Sequence, residues 1–197
     1  MKILTHGCSF TNYHWPSWPK FIEWFTDHEI INRGNIDSGN EKISRDVIDS
    51  AMQYKSGISH LYIMWSESQQ PLETLEHILR TQHFLNSYSL KYTMMISQQD
   101  VIDSSYKLYH EIDWTKFAFY NKNQGLHEFA VDSFQKYYYL DYKQPPPIAH
   151  YYWTKNIIFK SEAFAPKEKL IILQDFWEHY DPYFTQEWEK GGGIWPI

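Results

Sequence analysis

Residues 2–11 read Lys2-Ile3-Leu4-Thr5-His6-Gly7-Cys8-Ser9-Phe10-Thr11, and the reading of this stretch decides the fold. Lys2 to Thr5 is a short β-prone run that breaks into Gly-Cys-Ser, the way a buried parallel strand runs into a functional turn. Outward from it, Pro16 and Pro19 punctuate a loop before Lys20 to Thr26, where Phe21, Ile22, Trp24 and Phe25 suit one flank of a helix. Glu29-Ile30-Ile31-Asn32 predicts a second strand, followed by a loop whose Gly34, Asp37, Ser38 and Gly39 ask for flexible backbone. Ile43, Val47, Ile48 and Ala51 then recur at helical spacing, with Asn40 or its neighbours as the cap.

The alternation continues. His60 to Trp65 reads as a third strand, Leu72 to Tyr88 as a helix with Leu75, Ile78, Leu79, Gln82 and Leu85 on one face, and Lys91 to Ser97 as a fourth strand. Strands alternating with helices argue an α/β chain of three layers, α/β/α, around a central, mainly parallel sheet. After residue 100 the pattern loosens. Ile112-Asp113-Trp114 opens a polar-aromatic segment, Pro145-Pro146-Pro147 reads as a rigid extended stop, and His150 to Phe159 resumes as a helix. Lys167 to Tyr180 reads as a last helix, and Gly191-Gly192-Gly193 precedes a tail. The expected organisation is one domain over residues 1–165, with residues 166–197 a helix and tail packed on it or extending from it.

Bulk properties narrow the function. The 197 residues suffice for one sizeable core, and 18 basic against 24 acidic side chains, a formal charge of −6, supply no general attraction for nucleic acid or anionic lipid. The single cysteine, Cys8, excludes an intramolecular disulfide framework. The first residues hold too short an apolar run for a secretion signal, and no stretch approaches the roughly 18 apolar residues of a membrane span, so a soluble, unsecreted protein without a membrane partner is expected. The ten histidines form no HExxH or close His-x-His pair, and no Gly-rich phosphate loop occurs, so neither a metal nor a cofactor is expected. Aromatic residues reach 19%, with runs at Tyr137-Tyr138-Tyr139 and Tyr151-Tyr152-Trp153. Such side chains serve a core with polar tips at its rim, and equally an interface or sugar-stacking surface.

In an open parallel sheet, ligands collect beyond the carboxyl ends of the strands, here after Thr5, after Asn32, after Met64 and around Asp141. A Ser9 on a tight strand-to-helix turn projects its hydroxyl while nearby N–H groups bind an oxyanion, which is what nucleophilic acyl transfer requires. An ordinary capping turn has the same Gly-x-Ser spelling.

Four blocks taken together, THGCSFT (5–11), NRGNIDSGNEKI (32–43), LYIMWSES (61–68) and DYKQPPPIAHYYWTK (141–155), resemble the SGNH/GDSL hydrolases, and more narrowly a bacteriophage-encoded SGNH-like branch. The resemblance spans roughly residues 1 to 160 and implies an SGNH/flavodoxin-like fold. It puts Ser9 at the nucleophile, with Cys8 replacing the more general Asp. Gly34 and Gly39 match the second block, but Asp37 falls where the family places the Gly whose N–H helps form the oxyanion hole. Ser66 or Glu67 stands in for the usual Asn donor, and Asn40 is a further candidate to reach inward. Asp141 matches the late Asp-x-x-His, whereas Gln144 occupies the place of the general base. A primary amide does not accept and return a proton near neutral pH. His150, six residues on, and His6, beside the Ser9 turn, are the candidate substitutes; Asp175 with His179 reads as a solvated helix pair.

Two functions compete. One is a catalytically degenerate module for binding or assembly, with phage structural proteins as partners, located in the host cytoplasm or the virion. The other is a serine esterase or deacetylase using Ser9 on an acylated carbohydrate. Either takes a carbohydrate or acyl-ester ligand, and neither involves nucleic acid or a membrane.

Overall fold

A computed structural model describes residues 2–13, 16–26, 28–54, 57–67, 70–134 and 144–161. Asp141, the Tyr137–Tyr139 run, the helix expected over Lys167 to Tyr180 with its Asp175–His179 pair, and the glycine-rich tail lie outside the described residues. By internal contacts the chain divides into two units, Met1–Lys160 and Ser161–Ile197, and the first of them holds the sheet and its helices.

Four strands, β1 (Lys2–Gly7), β2 (Glu29–Asn32), β3 (Ile58–Trp65) and β4 (Tyr92–Ile96), form one sheet in the order β2-β1-β3-β4, and every pairing is parallel. The intervening helices are α1 (Trp18–Thr26), α2 (Asn40–Tyr54) and α3 (Pro71–Ser87); α4 (Leu126–Phe134) and α5 (Pro147–Trp153) follow β4. The chain steps from β1 to β2 in one direction and from β2 through β3 to β4 in the other. Right-handed crossovers therefore put α1 on one face of the sheet and α2 with α3 on the opposite face. Packing agrees: α2 lies against α3, and α5 lies against α1 and α4. This is the three-layer α/β/α arrangement read from the alternation of strands and helices.

Register explains each face. Tyr62 of β3 pairs with Thr5 and Thr93, and its ring meets Trp18 of α1 edge-on at 6.4 Å. On the same face Phe21 and Tyr151 meet at 5.7 Å, and Trp153 donates its indole N–H to Met95 Sδ at 3.5 Å. Trp18, Trp65, Trp153, Tyr151 and Phe21 are fully buried, and half of the described aromatic side chains go into the core. On the other face Ser44 of α2 and Thr81 of α3 share a buried hydroxyl hydrogen bond of 2.8 Å.

Two helices begin at proline, and a third carries one in its first turn. Pro71 and Pro147 are the first residues of α3 and α5, and Pro19 lies in the first turn of α1, positions whose N–H has no partner in a helix anyway. The triple proline is thus both an extended approach and a helix start, and α5 begins three residues before the helix expected from His150. It ends in a wider turn, Thr154–Ile158, where Phe159 N–H reaches Thr154 O at 3.0 Å. Helix α4 falls in the stretch where the sequence pattern loosens; Leu126, Phe129, Ala130 and Phe134 are its buried stripe. Among the described residues no helix is long and apolar enough to cross a membrane.

Candidate functional site

The sheet order reverses between β1 and β3, so the loops leaving their carboxyl ends diverge and open a crevice. Gly7 closes β1 with φ 155°, and a Cβ there would run into Thr11 Oγ1 and come within 2.8 Å of the Met64 carbonyl. Only glycine fits, and the chain then turns tightly: Thr11 N–H donates to Cys8 O at 2.9 Å, with Ser9 half-buried at the bend. The turn is held from outside by Ser17 Oγ and Asn32 Nδ2, which both donate to Thr11 O, at 2.7 and 3.1 Å. Asn32 ties the second loop as well, since its Oδ1 accepts from Thr5 Oγ1 at 3.0 Å and from Gly34 N at 2.9 Å.

Gln144 meets Ser9 directly. Its Nε2 donates to Ser9 Oγ at 2.9 Å across 135 positions of sequence, so the fourth block does reach the turn of the first. The bond has the wrong polarity for activating a nucleophile. A base would accept the serine proton, whereas this amide donates to the oxygen and leaves the proton on it. Gln144 Oε1 is buried and has no partner among the described residues.

Neither candidate substitute hydrogen-bonds Ser9. His6 and His150 are wholly buried, and among the described residues no partner stands at good hydrogen-bonding geometry to a ring nitrogen of either. Burial lowers the His6 pKa to about 4; Asp46 opposes the change, and Arg33 and Lys42 add to it. Burial lowers His150 to about 3, against the Pro145 carbonyl, which favours the charged ring. Both are neutral imidazoles near pH 7 and, being so hard to protonate, weak bases.

Of the groups expected at an oxyanion hole, the Asp37 N–H, the Asn40 amide and the Ser66 N–H are engaged elsewhere. Asp37 is exposed, and its N–H goes to Asn35 Oδ1 at 3.2 Å. Gly39 is exposed too, with its carbonyl receiving Ile43 N–H at 3.0 Å as α2 begins. Asn40 is buried and both amide hydrogens are used, on Ser66 O at 3.1 Å and Thr74 Oγ1 at 2.9 Å, while its Oδ1 accepts Ser66 N–H at 2.8 Å. The side chain therefore clamps the loop after β3 to α3, and the N–H of Ser66 is consumed by the same clamp. Ser66 also hydrogen-bonds the Cys8 thiol, whose pKa burial raises above its ordinary value. Glu67 accepts from Gln98 Nε2 at 3.3 Å. Thr74 and Thr11, which complete this arrangement, carry no signal in the sequence, since a threonine in a helix or turn has no distinguishing spacing. Among the described residues no three His, Cys, Asp or Glu side chains gather as a metal site.

No protein-family model matches the sequence, and no curated protein matches it. Among solved structures, a protein from Desulfitobacterium hafniense DCB-2, described as of the lipolytic G-D-S-L family, superposes with a TM-score of 0.50 at 14% identity, over 78% of this chain and 95% of that one. The fold is GDSL-like. At that identity the likeness is one of architecture and leaves the chemistry to the residues present.

Proposed function

We propose that this chain is a catalytically silenced SGNH-like module, in which Ser9 is kept as a hydrogen-bonding group rather than a nucleophile, and that it works by binding or assembly. The observation that carries this reading is the Gln144 Nε2 to Ser9 Oγ hydrogen bond of 2.9 Å, a donor standing where a base would have to accept. The committed amides of Asp37 and Asn40 and the low basicity of His6 and His150 support it further. On the strength of the four-block resemblance, the proposal extends to a phage accessory or virion component, in the host cytoplasm or the particle, with phage structural proteins as partners.

The competing reading, a serine esterase on acylated carbohydrate, draws on the partial exposure of Ser9 at the crevice. Hydrolysis of p-nitrophenyl acetate by wild type, Ser9→Ala and Gln144→His separates the two. The silenced module predicts no Ser9-dependent turnover in wild type and a gain in Gln144→His, since losing the histidine base costs about six orders of magnitude in kcat in a related serine mechanism. Wild-type turnover that vanishes in Ser9→Ala would overturn it and establish the esterase.

A further inference from the structure

A groove of about 420 Å³ lies between the β2–α2 loop and α2. Arg33 and Asn35 line it from the loop, and Lys42, Asp46, Asp49 and Gln53 line it from one face of the helix, where residues so spaced project together. Part of its polar capacity is spent internally: Lys42 Nζ pairs with Asp46 at 2.6 Å, and Arg33 Nη2 donates to Tyr54 OH at 2.8 Å. Asp49 and Gln53 have no hydrogen-bond or ion-pair partner among the described residues, and Asn35 uses only its Oδ1, on Asp37 N. What remains on offer is a carboxylate, two amides and the rest of a guanidinium, a mixture of donors and acceptors.

Two cations and two carboxylates cancel, and that decides the class of ligand. An anion meets Asp46 and Asp49, an ammonium meets Arg33 and Lys42, and an apolar group would strip water from all of them and return no hydrogen bonds. An uncharged ligand dense in hydroxyls, each both donor and acceptor, escapes these penalties. We propose that this groove is a saccharide-binding subsite; the inference rests on reading the chain as a binding module and gives that module its ligand class. The groove is tied to the Ser9 turn by two of its lining residues: Asn32 donates to Thr11 O at 3.1 Å, and the Gly34 carbonyl accepts Asn12 Nδ2 at 3.1 Å. Its charges also reach inward, because the buried ring of His6 feels Asp46, Arg33 and Lys42.

The test is an amide-resolved NMR titration of the labelled full chain with maltotriose, cellotriose and the trimer of N-acetylglucosamine as probes, and with inorganic phosphate for comparison. Expected is saturable movement of backbone amides in 32–35 and 42–53 with at least one trisaccharide and none with phosphate. Asp49→Ala and Gln53→Ala, with otherwise unchanged spectra, should each weaken that binding about tenfold, the loss of a hydrogen bond to a charged group setting the upper range. No saturable movement with any trisaccharide, or equal movement with phosphate, overturns the proposal. The ester assay fails separately: Ser9-dependent turnover removes the silenced-module reading whatever the groove binds, and an empty titration removes the groove while leaving the Ser9–Gln144 bond as it stands.

Discussion

At residue 144 the difference between a base and a spectator is one nitrogen lone pair. An imidazole keeps such a pair in the ring plane, free to take a serine proton, whereas the amide nitrogen of Gln144 delocalises its pair into the carbonyl and only donates, as it does to Ser9 at 2.9 Å. In the sequence, Gln144 stands out only through the four-block resemblance, whose Asp-x-x-His pattern marks the position to inspect. The role of Asn40 is not legible there: its place beside Gly39 points to a helix cap or an inward donor, and only the fold brings Ser66 and Thr74 within its reach. Its amide satisfies the Ser66 backbone on both sides, so Asn40→Leu, similar in size, strands a backbone N–H and C=O near the core. A buried polar group without its partner costs about 1–3 kcal/mol. We expect a fall of about 2–3 kcal/mol in unfolding free energy, seen as a lower urea midpoint with an unchanged slope. An Asn40→Leu protein as stable as wild type would show that the clamp contributes nothing net.

Among the elements, the first hundred residues are readable because each strand is a short apolar run and each helix shows a 3.6-residue stripe. Glu29–Asn32 is found as expected, and β4 stops at Ile96, one residue short, with Ser97 N–H donating the last parallel rung to Trp65 O at 2.9 Å. The later part is harder for a physical reason. The start of α4 is fixed in part by a contact that the local pattern does not show: Glu128 accepts from Gly125 N at 2.8 Å, three residues back, and also from Gln99 N at 2.9 Å, far back in the chain. The segment between β4 and α4 likewise depends on a partner that local sequence does not reveal. Gln82, read as part of the buried face of α3, is buried, but it pairs with the backbone of Asp113 in both directions, Nε2 to O at 2.9 Å and Oε1 from N at 3.0 Å. This side chain stands in for a neighbouring strand. Gln82→Leu keeps the volume and loses both bonds, and should lower stability by about 2 kcal/mol. It should also raise hydrogen exchange at Asp113 while leaving amides of α3 two turns away unchanged; uniform exchange across the molecule would show instead that α3 itself had been damaged.

For the whole molecule, the buried histidines make acid the sensitive direction. Folding holds His6 and His60 near pKa 4 and His150 near 3, each chiefly through burial, against an ordinary value of 6.5. Between those values and 6.5 the unfolded chain binds more protons than the folded one, so stability rises with pH in this window. Above about pH 7 all three rings are neutral in both states and add no slope. As pH falls through 6.5 the unfolded state is stabilised by protonation that burial denies the folded state, and the loss accumulates until the folded rings themselves charge near 4 and 3. A tenfold difference in proton affinity between the two states corresponds to about 1.4 kcal/mol, so the three rings together amount to several kcal/mol, comparable with the total stability of an ordinary domain. Urea unfolding from pH 7.5 down to pH 4.5 should therefore show a steep fall beginning near pH 6.5. The ring nitrogens of His6 and His150 make no well-formed hydrogen bond among the described residues that an apolar group of similar size would forfeit, so His150→Phe and His6→Leu should each flatten that fall. His60 bonds Thr93 at 2.9 Å, and the share of the slope that survives in the double variant belongs to it and to His77, whose pKa burial also lowers. If the double variant falls as steeply as wild type, burial of these rings is not what makes the fold sensitive to acid.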